Sequence, residues 1–276
     1  MQLEKLLKQP DALPSIPKVV RKLIDTFDHE DVDAMLVASL IEDDPVLTAR
    51  LLKTANSAFF GLTRSVYTAR DAINVLGLIK VRALVIAASF GEGFHTVGGV
   101  NLNQFWRYSL NSANLSRYIA LPIKMDENTA FTAGLIHGVG ELVMHVGMPE
   151  AMIDLDRSVP MLDLKRSKAE RGLFGYSYAE VGAALAREWS FPKRMINAIL
   201  HQTAPFDNEV YEPMAGVIHI ASWRARAEEQ QMRSEVLINT YPDPVGLVLG
   251  IDPDTVVAED IPSLSRQAET EGSSSP

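Results

Sequence analysis

Ala130-Phe131-Thr132-Ala133-Gly134-Leu135-Ile136-His137-Gly138-Val139-Gly140 is the stretch on which the reading of this chain turns. A helix is predicted to start over Asn128–Leu135. Ala130, Ala133 and Gly134 recur at helical spacing, and small residues so placed let a second helix approach closely. A histidine then a glycine follow, so an imidazole sits beside a residue with no side chain.

Helical spacing extends in both directions. Val19, Val20, Leu23, Ile24 and Phe27 recur at three to four residues behind Pro17. Asp33 is placed to cap a segment with an apolar face of Leu36, Val37, Leu40 and Ile41. Asp44-Pro45 starts the next, because Asp accepts from free helix N–H groups and Pro needs no donor in the first turn. Its predicted buried stripe is Val46, Leu47, Leu51, Leu52 and Ala55. Asn56-Ser57 ends it, and Gly61 lies in the turn beyond. Arg70–Leu76 is a short helix stopped by Gly77. Val81–Phe90 has enough β-branched residues for a strand, but its neighbours and the flanking Lys80 and Arg82 favour a buried helix.

Gly91, Gly93, Gly98 and Gly99 predict a loop between two helical lobes. They match neither a dinucleotide fingerprint nor a Walker loop, so a phosphate cradle is not indicated. Helices are then expected over Gln104–Ala120, Glu150–Asp156, Leu162–Leu173, Tyr178–Trp189, Pro192–Gln202 and Pro213–Gln230. The polar stretch 263–276, ending Ser-Ser-Ser-Pro, is expected to be disordered.

The totals narrow the function. Across 276 residues, 47% are hydrophobic, enough for a sizeable core, and there is no cysteine, which excludes disulfides, thiolate metal sites and cysteine nucleophiles. A net charge of -9 disfavours non-specific nucleic-acid binding, which depends on Lys and Arg neutralising phosphates. Two small basic clusters, Lys80 with Arg82 and Lys165 with Arg166 and Lys168, are expected to be solvated helix faces. The N-terminus lacks a secretory pattern and no segment has eighteen uninterrupted apolar residues, so a cytoplasmic location without a membrane span is expected.

The ordered series Leu13-Pro14-Ser15-Ile16-Pro17, Ile41-Glu42-Asp43-Asp44-Pro45-Val46-Leu47-Thr48, Leu52-Lys53-Thr54-Ala55-Asn56-Ser57-Ala58 and Ala72-Ile73-Asn74-Val75-Leu76-Gly77 resembles the HDOD family, the HD-related output domains. Phe105-Trp106-Arg107-Tyr108-Ser109, the segment around His137, Glu180-Val181-Gly182, Trp189, Pro192 and His201-Gln202 continue the likeness over roughly three quarters of the chain. The resemblance implies an all-α fold, an HD-like multi-helix core with an N-terminal helical lobe, and a role as a bacterial signalling output module. It also implies a domain map: an N-terminal segment 1–12, an HDOD domain 13–207 (lobe about 13–97, core about 101–207), and a helical extension 208–262.

An active HD hydrolase needs several His and Asp ligands around a metal that lowers the pKa of bound water. By resemblance, the His-Asp pair is here His137-Gly138, and glycine has no ligand atom. Tyr108, Tyr178, Gln202 and Ser222 likewise stand where His, His, His and Asp are expected, and such side chains are poor ligands for these cations. The chain is therefore read as having no cofactor. The alternative is a divalent metal such as zinc on His137, His201 and His219, if these converge.

Other candidates have plainer readings. Asp43-Asp44 is better explained as a helix start than as a carboxylate pair. Glu141, at i+4 from His137, is expected to be exposed. His145 is placed at a helix end, and His29 and His95 in loops. Trp106, Trp189 and Trp223 are expected in the core.

The reading is a non-catalytic regulatory module binding a signalling protein, a cyclic dinucleotide or another small ligand in a vestigial pocket, with no nucleic acid or membrane. The pocket candidates are Asp44, Asn56, Ser57, Trp106, Tyr108, His137, Gly138 and His201. The alternative is a metal-dependent phosphohydrolase acting on a nucleotide or cyclic dinucleotide. A receptor using Arg107, Lys124 or Arg194 for phosphate is a third reading.

Overall fold

The computed structural model describes residues 2–9, 17–26, 32–57, 60–93, 97–207, 209 and 211–258, leaving aside the side chains of 90–93. Leu13–Ile16, Phe27, His29, His95 and the tail 263–276 lie outside them. The described residues fall into two compact units, one within Ser15–Glu92 and one within Met1–Pro14 and Gly93–Glu259. Every regular element among them is a helix.

The chain opens with α1 (Leu3–Leu7), which packs on the larger unit. The smaller unit follows: α2 (Lys18–Asp25), α3 (Ala34–Glu42), α4 (Pro45–Ala55), α5 (Ala69–Leu76) and α6 (Leu78–Gly93). Asp33 caps α3 by accepting from the Met35 amide, and Asp44 caps α4 by accepting from those of Val46 and Leu47. Glu42 reaches across to α5, accepting from the Ala69 amide at 3.1 Å. Val37, Ile41, Leu47, Leu51, Ala55, Ala69 and Ala72 close the core.

Two apolar residues depart from the expected stripes: Leu36 is 54% exposed and Val46 50% exposed. Each falls on the outer side of its helix, where the spacing that buries Val37, Ile41, Leu47 and Leu51 leaves it. The strand-like run is a helix, as expected, with Val81, Ala83, Leu84, Val85 and Ile86 buried. Arg82 is also buried, so the solvated face expected there is not formed. The glycine-rich break comes later than expected, because α6 runs through Gly91 to Gly93. Glycine costs a helix only about 1 kcal/mol relative to alanine, and no proline intervenes.

The larger unit contains α7 (Leu102–Ala120), α8 (Glu127–Ile136), α9 (Val139–Gly147), α10 (Pro149–Ser158), α11 (Arg166–Phe174), α12 (Tyr178–Glu188), α13 (Lys193–His201), α14 (Pro213–Glu229), α15 (Ser234–Thr240), α16 (Asp243–Leu249) and α17 (Asp254–Val257). Helix α7 packs between α8 and α14, and α12 between α9 and α13. The small-residue face does what its spacing predicts: a Cβ on Gly134 would come within 2.9 Å of the Ser112 carbonyl oxygen of α7. Helix α11 starts at Arg166, four residues later than the spacing suggests, because Asp163 accepts from the Lys165 amide in a turn. A reciprocal Ser177–Glu180 capping box starts α12, and Asp126 caps α8.

Candidate functional site

Five segments of the larger unit converge. Helix α7 contributes Tyr108, the end of α8 His137, α12 Tyr178, the end of α13 Gln202, and α14 His219, Ser222 and Arg226. His137 is completely buried. Its Nδ1 lies 2.6 Å from the Gly134 carbonyl oxygen, which can only accept, so Nδ1 carries the proton. Its Nε2 then accepts from the Tyr108 hydroxyl at 2.7 Å. Both ring nitrogens are engaged. Gln202 donates through Nε2 to the carbonyls of His137 at 2.8 Å and Ile199 at 3.0 Å. His219 Nδ1 donates to the Gln202 carbonyl at 2.7 Å.

Arg226 lies among these groups. It is 8% exposed, and its guanidinium carbon is 5.7 Å from the ring centroids of both Tyr108 and Tyr178. One terminal nitrogen donates to the Tyr178 hydroxyl at 2.7 Å. Two aromatic faces stabilise a desolvated cation by about 1–2 kcal/mol each. Burial opposes the Arg226 charge, but Tyr108, Tyr178 and Glu141 outweigh it and raise the pKa above the ordinary guanidinium value. Burial, with Arg226 assisting, pushes His137 down to about 3 against the pull of the Gly134 hydrogen bond. Burial lowers His219 as well, again with Arg226 assisting. The site therefore holds neutral imidazoles around a permanent cation.

Such a site does not suit a resident metal. A fixed guanidinium repels a second cation, and His137 has no nitrogen to offer one. Among the described residues no group of three or more His, Cys, Asp or Glu side chains is placed to share a metal. The set His137, His201 and His219 is thus not assembled. His201 ends α13 half-exposed, whereas the neighbouring Gln202 is 1% exposed and faces the interior.

The other sequence candidates separate. Gly138 adjoins Tyr108 and Phe105, where a Cβ would make ordinary contacts at 3.8 and 3.4 Å. Trp106 is half-buried, edge-on to Phe105, and does not line the cavity beside Arg226. Trp189 and Trp223 are buried, as expected. In the smaller unit, Asp44 caps α4, Asn56 brackets Val66 by donating to its carbonyl and accepting from its amide, both at 2.8 Å, and Ser57 donates to the Thr54 carbonyl at 2.6 Å. These three side chains hold backbone in place.

A second buried cluster contradicts two expectations. Glu141 is 3% exposed and Arg166 is fully buried, so neither faces solvent. Arg166 contacts Glu170 at 2.8 Å, Asp156 at 2.6 Å and Glu141 at 3.1 Å. His145 ends α9 as expected, but it is buried, with Nε2 3.0 Å from Asp156 and Nδ1 2.7 Å from the Glu141 carbonyl. Burial and then the Glu141 charge push Glu170 well above the usual carboxylate range, only partly offset by Arg166. Arg166 and Glu170 are paired at i,i+4 on α11, but spacing gives no sign that Glu141 of α9 and Asp156 of α10 meet them and bury the cluster.

Helices in this arrangement define an HD-type helical domain. An HDOD domain model matches residues 13–205, and the chain belongs to the HDOD family. A crystal structure of a provisionally named phosphohydrolase from Shewanella amazonensis SB2B is similar at 29% identity and TM-score 0.74, over 97% of this chain and 96% of that one. An HDOD domain protein from Geobacter sulfurreducens shares the fold, at 24% identity and TM-score 0.69 over 98% of this chain and 93% of that one. An uncharacterized protein of Treponema pallidum is 28% identical over 228 residues, 78% of this chain and 42% of its own length. A ribonuclease Y from Lactobacillus acidophilus is 22% identical over 80% of this chain and 36% of its own length. The chain thus spans less than half the length of these two curated relatives. No helix among the described residues is long and apolar enough to cross a membrane.

Proposed function

We propose that this chain is a non-catalytic signal-transduction module that acts by binding a protein or small ligand. The observation that carries the reading is Arg226, a buried guanidinium held between Tyr108 and Tyr178. Hydrolysis at an HD site needs a metal to generate hydroxide and offset phosphate charge. Here a protein cation stands among the relevant side chains, and the imidazole next to it is tied at both nitrogens. The chemistry left is recognition, with the helical frame presenting a surface or pocket to a partner.

The test is metal content and turnover. The full chain is incubated with magnesium, manganese, nickel, zinc and ferrous ions, dialysed, and analysed for bound metal. It is then assayed on bis-p-nitrophenyl phosphate and on cyclic dinucleotides. The expected outcome is less than stoichiometric metal and no turnover above buffer. One bound metal together with turnover that disappears in His137→Ala would overturn the reading.

A further inference from the structure

A cavity of about 170 Å³ opens beside Arg226 in the larger unit. Its polar lining includes Arg226, Tyr178, His219, Ser167, Ser222 and Thr203, and no described Asp or Glu takes part. Arg226 Nε is buried and has no hydrogen-bond acceptor among the described residues. Nor does any described carboxylate pair with its guanidinium: the acid it feels most, Glu141, is held by Arg166. The tyrosines and the charge of Glu141 hold the guanidinium in its charged form, but its buried Nε donor is left without an acceptor, and a buried donor left unpaired is costly. What the site lacks is a negative partner, and the cavity beside it has room for one.

The geometry points to a binding site for a single phosphate-type oxyanion, anchored by Arg226 and flanked by the hydroxyls of Ser222, Ser167 and Thr203. This deepens the non-catalytic reading and rests on it. A guanidinium presents a fork of N–H donors matched to two oxygens of a tetrahedral anion, and the pairing strengthens when it is desolvated. The Thr203 hydroxyl accepts from Arg171 at 3.1 Å and keeps its proton for a ligand oxygen, whereas Ser222 donates to the His219 carbonyl at 3.1 Å and would have to turn from it to a ligand. His219 donates through Nδ1 to the Gln202 carbonyl, so its Nε2 carries no proton and can only accept, as from a protonated phosphate oxygen. The volume is below the roughly 300 Å³ at which pockets for drug-sized ligands begin. That suits a free phosphate, or the phosphate end of a small ester whose remainder stays outside.

Ser222 provides the sharpest probe. It is one helical turn from Arg226 on α14 and lines the cavity. Ser222→Asp would give the guanidinium an internal carboxylate and close the site to an external anion. Calorimetry on the full chain in chloride-poor buffer would use inorganic phosphate, glycerol phosphate and acetate as separate titrants. One phosphate per chain is expected, with binding at least tenfold weaker in Ser222→Asp and in Arg226→Gln. Ser222→Asp keeps the experiment decisive if Arg226→Gln fails to fold. Glycerol phosphate binding as well as phosphate would assign the site to an ester, whereas phosphate alone would assign it to the free ion. Undetectable phosphate binding, binding unchanged in Ser222→Asp, or acetate binding as well as phosphate would overturn the proposal. If phosphate does not bind and no metal-dependent turnover appears, the anion site falls and the non-catalytic reading stands. Turnover with bound metal would remove that reading whatever phosphate does.

Discussion

The Tyr108 hydroxyl donates to His137 Nε2 across 2.7 Å, and that bond sets the protonation of the ring, because Nδ1 is already donating to Gly134. Adding a proton to His137 would reverse the Tyr108 bond, making the phenolic oxygen accept, and place a second positive charge near Arg226. Burial, with Arg226 assisting, holds its pKa down to about 3.

Stability should therefore depend on pH in a definite direction. The unfolded chain takes up a proton on this histidine near pH 6.5, whereas the folded chain does so only near pH 3. Between those values the unfolded state binds more protons, so stability is full above about 6.5 and is lost as pH falls. From pH 7 to 5 the loss from His137 alone is about 2 kcal/mol, and the lowered pKa of His219 adds in the same direction. Urea unfolding of the wild type and of His137→Gln at both pH values isolates the effect. An equal fall in the two proteins would show that His137 is not responsible.

Arg166 is the more critical half of its buried cluster. Replacing it with Met leaves Glu141, Glu170 and Asp156 without their shared counterion, and removing one partner of a buried ion pair costs about 3–5 kcal/mol. Glu170→Gln should cost far less. Burial and Glu141 already disfavour the Glu170 charge, and the amide leaves Arg166 paired with Glu141 and Asp156 while its oxygen can still accept from the Tyr178 amide, a bond now 2.8 Å long. Denaturant midpoints of the two variants should differ widely. Equal midpoints would mean that the cluster carries little of the stability.

Asn56 offers a contrast between structural and ligand-binding roles. Its amide closes a ring onto the Val66 backbone, so Asn56→Ala should cost about 1–2 kcal/mol through two lost hydrogen bonds. The same substitution should leave phosphate affinity at the Arg226 site unchanged. Thermal melting and calorimetry on one preparation check both halves, and an affinity loss without a stability loss would return Asn56 to the candidate ligand-binding residues.

How much of this was legible in the sequence depends on whether a feature is local. Helices and caps are local, and Asp33, Asp44 and Gly77 mark ends where the structure has them. Tyr108, Tyr178, Gln202 and Ser222 can be picked out by resemblance, and all four lie in or beside the converged site. Arg226 cannot: it is one of two arginines on α14, and nothing in its spacing says that it lies between two tyrosines from α7 and α12. Glu141 and Arg166 are expected outside because charged residues rarely bury without partners; the i,i+4 partner Glu170 is visible in the sequence, but the contact between Arg166 and Glu141 of α9 is not. A clue does exist at Ser222 and Arg226, four apart on an otherwise apolar face, where helical geometry puts both toward the core.

Gly138 and Gly140 are two residues apart and should respond oppositely to alanine. Gly138 has φ -94° and ψ 0°, which any residue can adopt, and a Cβ there meets only ring carbons at ordinary distances. Gly138→Ala should leave the protein as stable or up to about 1 kcal/mol more so, because it reduces the freedom of the unfolded chain. Gly140 is where α9 lies against α12, and its added Cβ would collide with the Tyr178 carbonyl oxygen and approach the Gly182 amide nitrogen to 2.7 Å. Those atoms are backbone and cannot swing aside, so Gly140→Ala must push α12 away and carry Tyr178 off Arg226. A loss of at least about 2 kcal/mol is expected, within the range for overpacked cores, with weaker phosphate binding in whatever remains folded. Parallel melts of the two variants decide the matter. A stable Gly140→Ala would show that α9 and α12 have slack, and that Arg226 does not depend on their close approach for its tyrosine partner.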